Sequence, residues 1–505
     1  MNMEVATRTT ELYTTYREKM RKIADLRYSY AVLQWDQETY MPAKSAAFRG
    51  QQLASLSELS HQFFTSEETG TLLHRLSDQA DLNDLQRKNI ELSLYDYNKA
   101  KKLSPAFVRE LTETVNACFH SWIEARRLNS FKNYEKYLAE LVMMKREEAR
   151  LLGYNAHPYD ALLNDYERGA NVEMLDNIFA TISMPLRELL RQIMVRPQND
   201  NSFLQQRFPR QEQWNYGIQL LRKLGFDFEA GRQDISEHPF TTSFSSQDVR
   251  ITTRIDEEDF SNMTWSCIHE LGHALYEQGL PPSEYGLPLG EACSLSIHES
   301  QSRLWENQLG RSHIFWQHNY PMLQEQFARQ LGDVTLDAFY AGINQVKPSL
   351  IRTEADEVTY HFHVIIRYEI EKKLIEGTLR VHDLPDFWNY QYQKYLGISP
   401  PDDLQGCLQD VHWSHGSFGY FPTYSLGSFY AAQFFDQAMQ DVPTLLDEIA
   451  TGQYQPLLDW LREKVHIHGR YFTSEELCEQ VCGRKLDIRC FMQYLLDKYK
   501  NIYQF

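Results

Sequence analysis

The sequence predicts a mainly α-helical protein with one small β element, and three observations carry that reading. Apolar residues recur at helical spacing through most of residues 6 to 194 and again after Gly290. Helix start and stop signals punctuate those stretches, among them Ser104-Pro105, Gly153 and Gly377. A single stretch, 238 to 255, is rich in Thr, Phe, Val and Ile, which favour strands.

The elements follow in order. A helix is expected over 6 to 33, broken by Trp35-Asp36-Gln37-Glu38-Thr39-Tyr40-Met41-Pro42, with a second from Ala46 to Phe64. Asp81 to Lys101 is helical, and Ser104 reads as the N-cap of a helix to Arg127 with Pro105 in its first turn. Further helices run from Tyr134 to Leu152 and from Met174 to Met194. Residues 195 to 210, polar with Pro and Asn, predict an exposed linker. His238 to Phe244 and Asp248 to Ile255, separated by Ser245-Ser246-Gln247, predict a hairpin. Beyond it, helices are expected from Gly290 to Leu309, with Gly310 as the stop, from Asp337 to Gly342, and from Glu354 to Ile375. Gly406 to Tyr424 reads as a loop leading into a helix, and Thr473 and Glu476 have capping-box spacing.

Directly after the hairpin lies His269-Glu270-Leu271-Gly272-His273. Residues four apart share one face of a helix, so both imidazoles can reach one metal ion, and Glu270 stands where a carboxylate can hold a metal-bound water. Asp259 or Ser261 is the expected cap of that helix, and Gly279 with Pro281-Pro282 its stop. Two surface histidines on an ordinary helix is the alternative. A hairpin beside a metal helix suits a peptidase, because extended substrates bind by strand addition.

Composition narrows the function. The chain has 505 residues, enough for two or three domains or one large two-lobed one; it is 42% hydrophobic, 24% charged and carries a net charge of −18. That charge argues against nucleic acid and anionic membranes as partners. The start of the chain shows no signal peptide, and no apolar run is long enough to span a bilayer. Seven scattered cysteines with no C-x-x-C pattern fit a reducing cytoplasm, and Cys478 and Cys482 read as packed thiols.

A catalytic zinc site has three protein ligands and one open position, so a third ligand is required. Tyr276 and Gly279 occupy the places where a local third His would stand. The downstream candidates are Glu284, Glu291, Glu299 and Glu306, and Glu299, mid-helix in Ile297-His298-Glu299-Ser300-Gln301, is the choice by spacing.

At this point the residues resemble the carboxypeptidase Taq family of zinc metallocarboxypeptidases. The shared motifs run in order: His238-Pro239-Phe240, Asp248-x-Arg250-x-Thr252, His269-Glu270-x-x-His273, His298-Glu299-Ser300-Gln301, Ile351-Arg352-x-x-Ala355-Asp356 and Gly406-x-x-Gln409-Asp410-x-His412-Trp413. The Trp35-Asp36-Gln37 stretch is similar too. The resemblance implies His269, His273 and Glu299 as ligands of Zn2+, with Co2+ as a possible substitute, and Glu270 as general base. It implies one metallocarboxypeptidase domain over 1–505, with a mostly helical N-terminal part (1–200), an active-site core (238–424), a deep central cleft between two lobes, and a homodimer. It also implies broad release of C-terminal residues with Pro disfavoured.

The remaining candidates serve the transition state and the substrate. His415, Tyr420 and Tyr424 can donate hydrogen bonds to an oxyanion, Tyr420 being preferred. Arg250 and Arg352 can bind a terminal carboxylate in a bidentate pair, with His238 as a further substrate contact. The rival readings are an oligoendopeptidase without a carboxylate clamp and a non-enzymatic helical scaffold.

Overall fold

The computed structural model describes residues 2–505, with side chains from Arg8 onward. Among the described residues it contains 21 α-helices and one three-stranded sheet. The expected mainly α, two-lobed fold with its small sheet is the fold observed.

Helix α1 spans Asn2–Thr39. It carries straight through the expected break at Trp35, because Trp35 to Thr39 are helix-compatible and Trp35 is buried. The chain turns at Met41-Pro42, where Pro42 is extended at φ −60 and ψ 132. Helix α2 follows over Ala46–Thr65. The early helices build a small apolar core of their own, with Tyr16, Ile23, Phe64, Leu73, Leu76 and Ile90 at its centre. The main core runs from Cys118 to Tyr503. Polar contacts join the two lobes: Arg470 to Asp96, Asn89 to Glu284, and Tyr285 to Asp25.

Residues 195 to 210 are largely exposed, as expected, but three buried side chains anchor them. Phe203, Leu204 and Phe208 are buried, and Phe208 packs on Phe260 and Phe327 with ring centroids 5.0 and 5.2 Å away. Three apolar residues at irregular spacing give no periodic signal, so composition shows the exposure of the segment but not its anchors.

The expected hairpin is present as β2 (Thr241–Ser245) and β3 (Asp248–Thr253), with β1 (Gly231–Ile235) added parallel to β3. The order β1-β3-β2 leaves β2 at an edge. Strand β1 reads Gly-Arg-Gln-Asp-Ile, which carries almost no β-propensity; pairing with β3 makes it a strand.

Helix α3, Phe260–Gly279, is capped by Asp259, whose side chain accepts from the Ser261 N–H. Helix α4, Leu295–Arg303, starts five residues later than expected, at the cap Ser294, and passes into a π-helical stretch over Leu304–Gly310. Helix α5, Tyr360–Glu376, ends at Gly377 with φ +92. It too starts late, because Asp356 accepts from the N–H groups of Val358 and Thr359 and so makes a turn before it. Helix α6 is Pro422–Asp441.

Helices α3, α4 and α6 stack in close contact, and glycine permits it twice. A Cβ on Gly272 would lie 2.5 Å from the Gln301 carbonyl oxygen, and one on Gly427 would lie 2.5 Å from Cγ of Glu299. Gly427→Ala should therefore push on Glu299 and destabilise the protein by about 1–3 kcal/mol. Gly50→Ala, in a helix with nothing within 4 Å, should stabilise by about 0.5–1 kcal/mol. Thermal unfolding of the two variants should move in opposite directions, and a stabilised Gly427→Ala would contradict this packing.

Candidate metal centre

One turn of α3 places His269 and His273 side by side, and α4 brings Glu299 across from them. Their ligand atoms all lie within 4.8 Å of one another, the one such group among the described residues. The Glu299 Oε2 atom stands 3.8 Å from Nε2 of His269 and 3.5 Å from Nε2 of His273. Glu299 is buried while both histidines stay partly open to solvent.

The second ring nitrogens are taken. Nδ1 of His269 lies 2.9 Å from Glu306, so it carries the proton and leaves Nε2 bare. Nδ1 of His273 lies 2.6 Å from Nδ1 of His298, whose Nε2 meets Glu277 at 2.8 Å. The Glu277 carboxylate accepts from Nε2–H of His298, so Nδ1 of His298 is the ring nitrogen that can accept from Nδ1–H of His273. Its Nε2 is then bare as well. Two such nitrogens and one carboxylate oxygen form a donor set suited to a divalent transition metal with one position left open.

Charge around Glu299 is balanced. Burial opposes its ionisation, but Arg303, His269 and His273 outweigh burial and hold its carboxyl well below the usual range. Arg303 donates to Glu299 at 2.7 Å and contacts Glu306 at 3.4 Å, and Arg311 meets Glu306 at 3.2 Å. The other candidates for third ligand are engaged elsewhere. Glu284 accepts from Asn89, Glu291 faces Arg470, and Glu306 stands behind His269.

Glu270 points toward the sheet. The Thr241 hydroxyl donates to its Oε2 at 2.6 Å, and burial pushes its carboxyl above the usual range. Ser243, also on β2, donates to Glu277. The sheet edge and the histidine pair are thus tied through two hydroxyls.

The aromatic segment forms a second wall. Tyr420 and Tyr424 have ring centroids 5.2 Å apart, and Nε2 of His412 lies 3.3 Å from the Tyr424 hydroxyl. Burial, then the Glu299 charge, push the Tyr420 phenol up to about 12. His415 does not join them; it is exposed and packs its ring on Phe119 at 4.7 Å. The histidine that meets the tyrosines is His412, three residues earlier. Arg352 is buried against this wall, its guanidinium 4.9 Å from the Tyr424 ring, 3.0 Å from Asp410 and 3.2 Å from the Tyr360 hydroxyl. It sits in a short 3-10 turn ahead of α5, not on the helix itself. Arg250 is held on the sheet by Asp248 and sandwiched between Trp35 and Phe244, 4.4 and 4.8 Å from their ring centroids. His238 is exposed, and no side-chain contact joins it to the metal centre.

Comparison with known proteins agrees with this geometry. The family model for carboxypeptidase Taq (M32) metallopeptidases matches residues 15–499. The chain belongs to that family. It is 38% identical to carboxypeptidase 1 of Bacillus subtilis over 99% of this chain and 100% of the relative. It is 40% identical to thermostable carboxypeptidase 1 of Thermus thermophilus, covering 97% and 99%. The crystal structure of the M32 carboxypeptidase from Deinococcus radiodurans superposes with a TM-score of 0.96 at 37% identity, covering 98% and 100%. This M32 protein is therefore a metallocarboxypeptidase, a peptide hydrolase with a metal cofactor.

Of the groups that support the M32 centre, Arg303 and Glu277 lie outside the sequence-based candidates, while Glu306, a candidate third ligand, instead meets Nδ1 of His269. Arg303 is four residues and Glu306 seven residues beyond Glu299, and Glu277 is four beyond His273. Helical periodicity from each candidate ligand would have put all three on the ligand face.

Buried histidines give the fold a pH dependence. Burial lowers His361, His412 and His466 to about 3 and His363 well below its usual value. These rings stay neutral in the folded chain but protonate once unfolded, below about 6.5. Their contribution is complete above pH 6.5 and is lost as pH falls, by up to about 1.4 kcal/mol per unit for each ring. His269, raised by Glu299 and Glu306 against burial, works in the opposite direction. Denaturant unfolding of the metal-free chain should show stability dropping steadily from pH 7 to 5. A flat profile would contradict the neutral assignment.

Proposed function

We propose that the chain is a zinc-dependent carboxypeptidase that removes C-terminal residues singly from peptides with broad preference. The observation that carries this is the pairing of the His269, His273 and Glu299 group with a buried, aromatic-flanked Arg352. Those three residues would hold Zn2+, with Co2+ as a substitute, because two imidazole nitrogens and one carboxylate suit either ion. When bound, such an ion polarises the peptide carbonyl and lowers the pKa of a water.

The chain's own groups do the rest. Glu270 accepts the proton of the attacking water and returns it to the leaving amine. Thr241 occupies one of its oxygens and so fixes which oxygen acts. The phenols of Tyr420 and Tyr424, kept protonated by burial, donate to the developing oxyanion. His412 steadies Tyr424. The substrate lies along the β2 edge as an added strand. A C-terminal Pro has no N–H to donate to that edge, which is the basis for its being disfavoured. Cytoplasmic peptides are the proposed substrates, since seven cysteines without a disulfide among them suit a reducing compartment. A homodimer is the proposed assembly, on the family resemblance.

Arg352 is the proposed clamp for the free carboxylate, and Arg250 is proposed to be structural, being stacked and paired on the sheet. A charged hydrogen-bonded pair contributes about 1.5–3 kcal/mol, or roughly 10- to 150-fold. Unblocked peptides should be trimmed stepwise and their C-terminal amides cleaved more slowly by that factor. Arg352→Ala should erase the difference, while Arg250→Ala should leave most of it. The comparison is product analysis by mass spectrometry with zinc restored after chelation. Equal trimming of acid and amide by the unmodified protein would overturn the clamp, and the reverse pattern in the two variants would move it to Arg250.

A further inference from the structure

A buried carboxylate outside every motif above holds the aromatic wall from behind. Glu371 lies on α5 and is fully buried. Three donors converge on it. The Trp413 indole N–H reaches Oε1 at 2.7 Å, and the Gly419 backbone N–H reaches Oε2 at 2.8 Å. The Tyr159 hydroxyl also donates to Oε2. Trp413 directly follows His412, and Gly419 directly precedes Tyr420. Glu371 therefore grips the segment beside both of its working residues.

The grip is doubled one helical turn away. Arg367, four residues earlier on the same face of α5, contacts Asp410 at 2.6 Å and Gln409 at 2.8 Å. Asp410 in turn pairs with Arg352. Gly419 has φ +102, and a Cβ there would lie 2.8 Å from the Leu162 carbonyl oxygen, so the backbone has no room to drift on that side. Burial pushes the Glu371 carboxyl up to about 7 against the pull of Tyr159, Gly419, Trp413 and Arg367. Removing this carboxylate would leave three buried donors without their acceptor, so a variant that keeps an acceptor is needed to separate position from stability.

We infer that Glu371 is a positioning residue that fixes the 412–420 segment, and with it Tyr420, at the height the oxyanion requires. The inference rests on the reading of Tyr420 as an oxyanion donor. Misplacing a catalytic group by about 1 Å costs on the order of a hundredfold in rate. Glu371→Gln keeps the volume but turns one acceptor into a donor that faces Trp413 or Gly419.

The test compares Glu371→Gln, Tyr420→Phe and the double variant, each for kcat, KM, bound zinc and unfolding temperature. Expected for Glu371→Gln is a kcat lower by about tenfold or more, with KM within a few-fold. Bound zinc should be unchanged and the unfolding temperature should fall by only a few degrees. In the Tyr420→Phe background the same change should cost little further. Glu371→Gln/Trp413→Phe, which removes the clashing donor, should recover part of the loss. An unaffected Glu371→Gln beside an impaired Tyr420→Phe overturns the positioning role alone. An unaffected Tyr420→Phe overturns the tyrosine assignment first and the inference with it. Losses that multiply in the double variant, or that follow lost zinc, also overturn it. Should Glu371→Gln not fold, Trp413→Phe carries the same test, with a smaller kcat loss expected and an unchanged kcat overturning the inference.

Discussion

The structure depends on one buried carboxylate that must stay ionised. Glu299 lies between two helices, with a third pressed against its stem at Gly427. An unpaired charge there would be costly to bury. Arg303, one turn further along α4, neutralises it at 2.7 Å and leaves Oε2 facing two imidazoles. The same arginine touches Glu306, which orients His269, so a single cation sets the charge of one ligand and stands beside the partner of another. Close helix packing and ligand geometry are therefore the same constraint.

From that centre the charges step outward in alternation. Arg303 lies over the Tyr360 ring at 4.6 Å, and the Tyr360 hydroxyl accepts from Arg352. Arg352 meets Asp410, and Asp410 meets Arg367. Each buried cation has a carboxylate or an aromatic face, so no member is left uncompensated. The alternation joins Glu299 to the wall that carries His412, Tyr420 and Tyr424. On the other side, Thr241 and Ser243 join it to the sheet edge. A peptide between edge and wall would meet Glu270 on one side and the phenols on the other.

Much of this was legible in residue order, and the exceptions have physical causes. His269, Glu270 and His273 announce themselves because four-residue spacing fixes a shared helix face. Glu299 could be chosen because few downstream carboxylates lie mid-helix, and its rivals proved to be engaged elsewhere. Arg303 and Glu277 give no signal of their own although the same periodicity reaches them, and Glu306, a candidate third ligand by sequence, stands behind His269 instead. Sequence alone offers His415 beside the two tyrosines because spacing within a loop does not fix direction; the 3-10 turn at 412–415 leaves His415 exposed and His412 half-buried against Tyr424. Strand β1 and the anchors Phe203, Leu204 and Phe208 give no signal in the sequence, since each owes its place to a partner far away in the chain. Glu371 gave no signal at all, because an isolated glutamate on a helix reads as a solvated one.

The central claim is that Glu299, charged and held by Arg303, completes the zinc site. Titration of zinc into the metal-free protein and into Glu299→Gln, followed by calorimetry, tests it most directly. The account predicts one zinc per unmodified chain and an affinity in the variant lower by about a hundredfold or more, with the fold intact by circular dichroism. Equal affinity in the two proteins would contradict it and place the third ligand elsewhere.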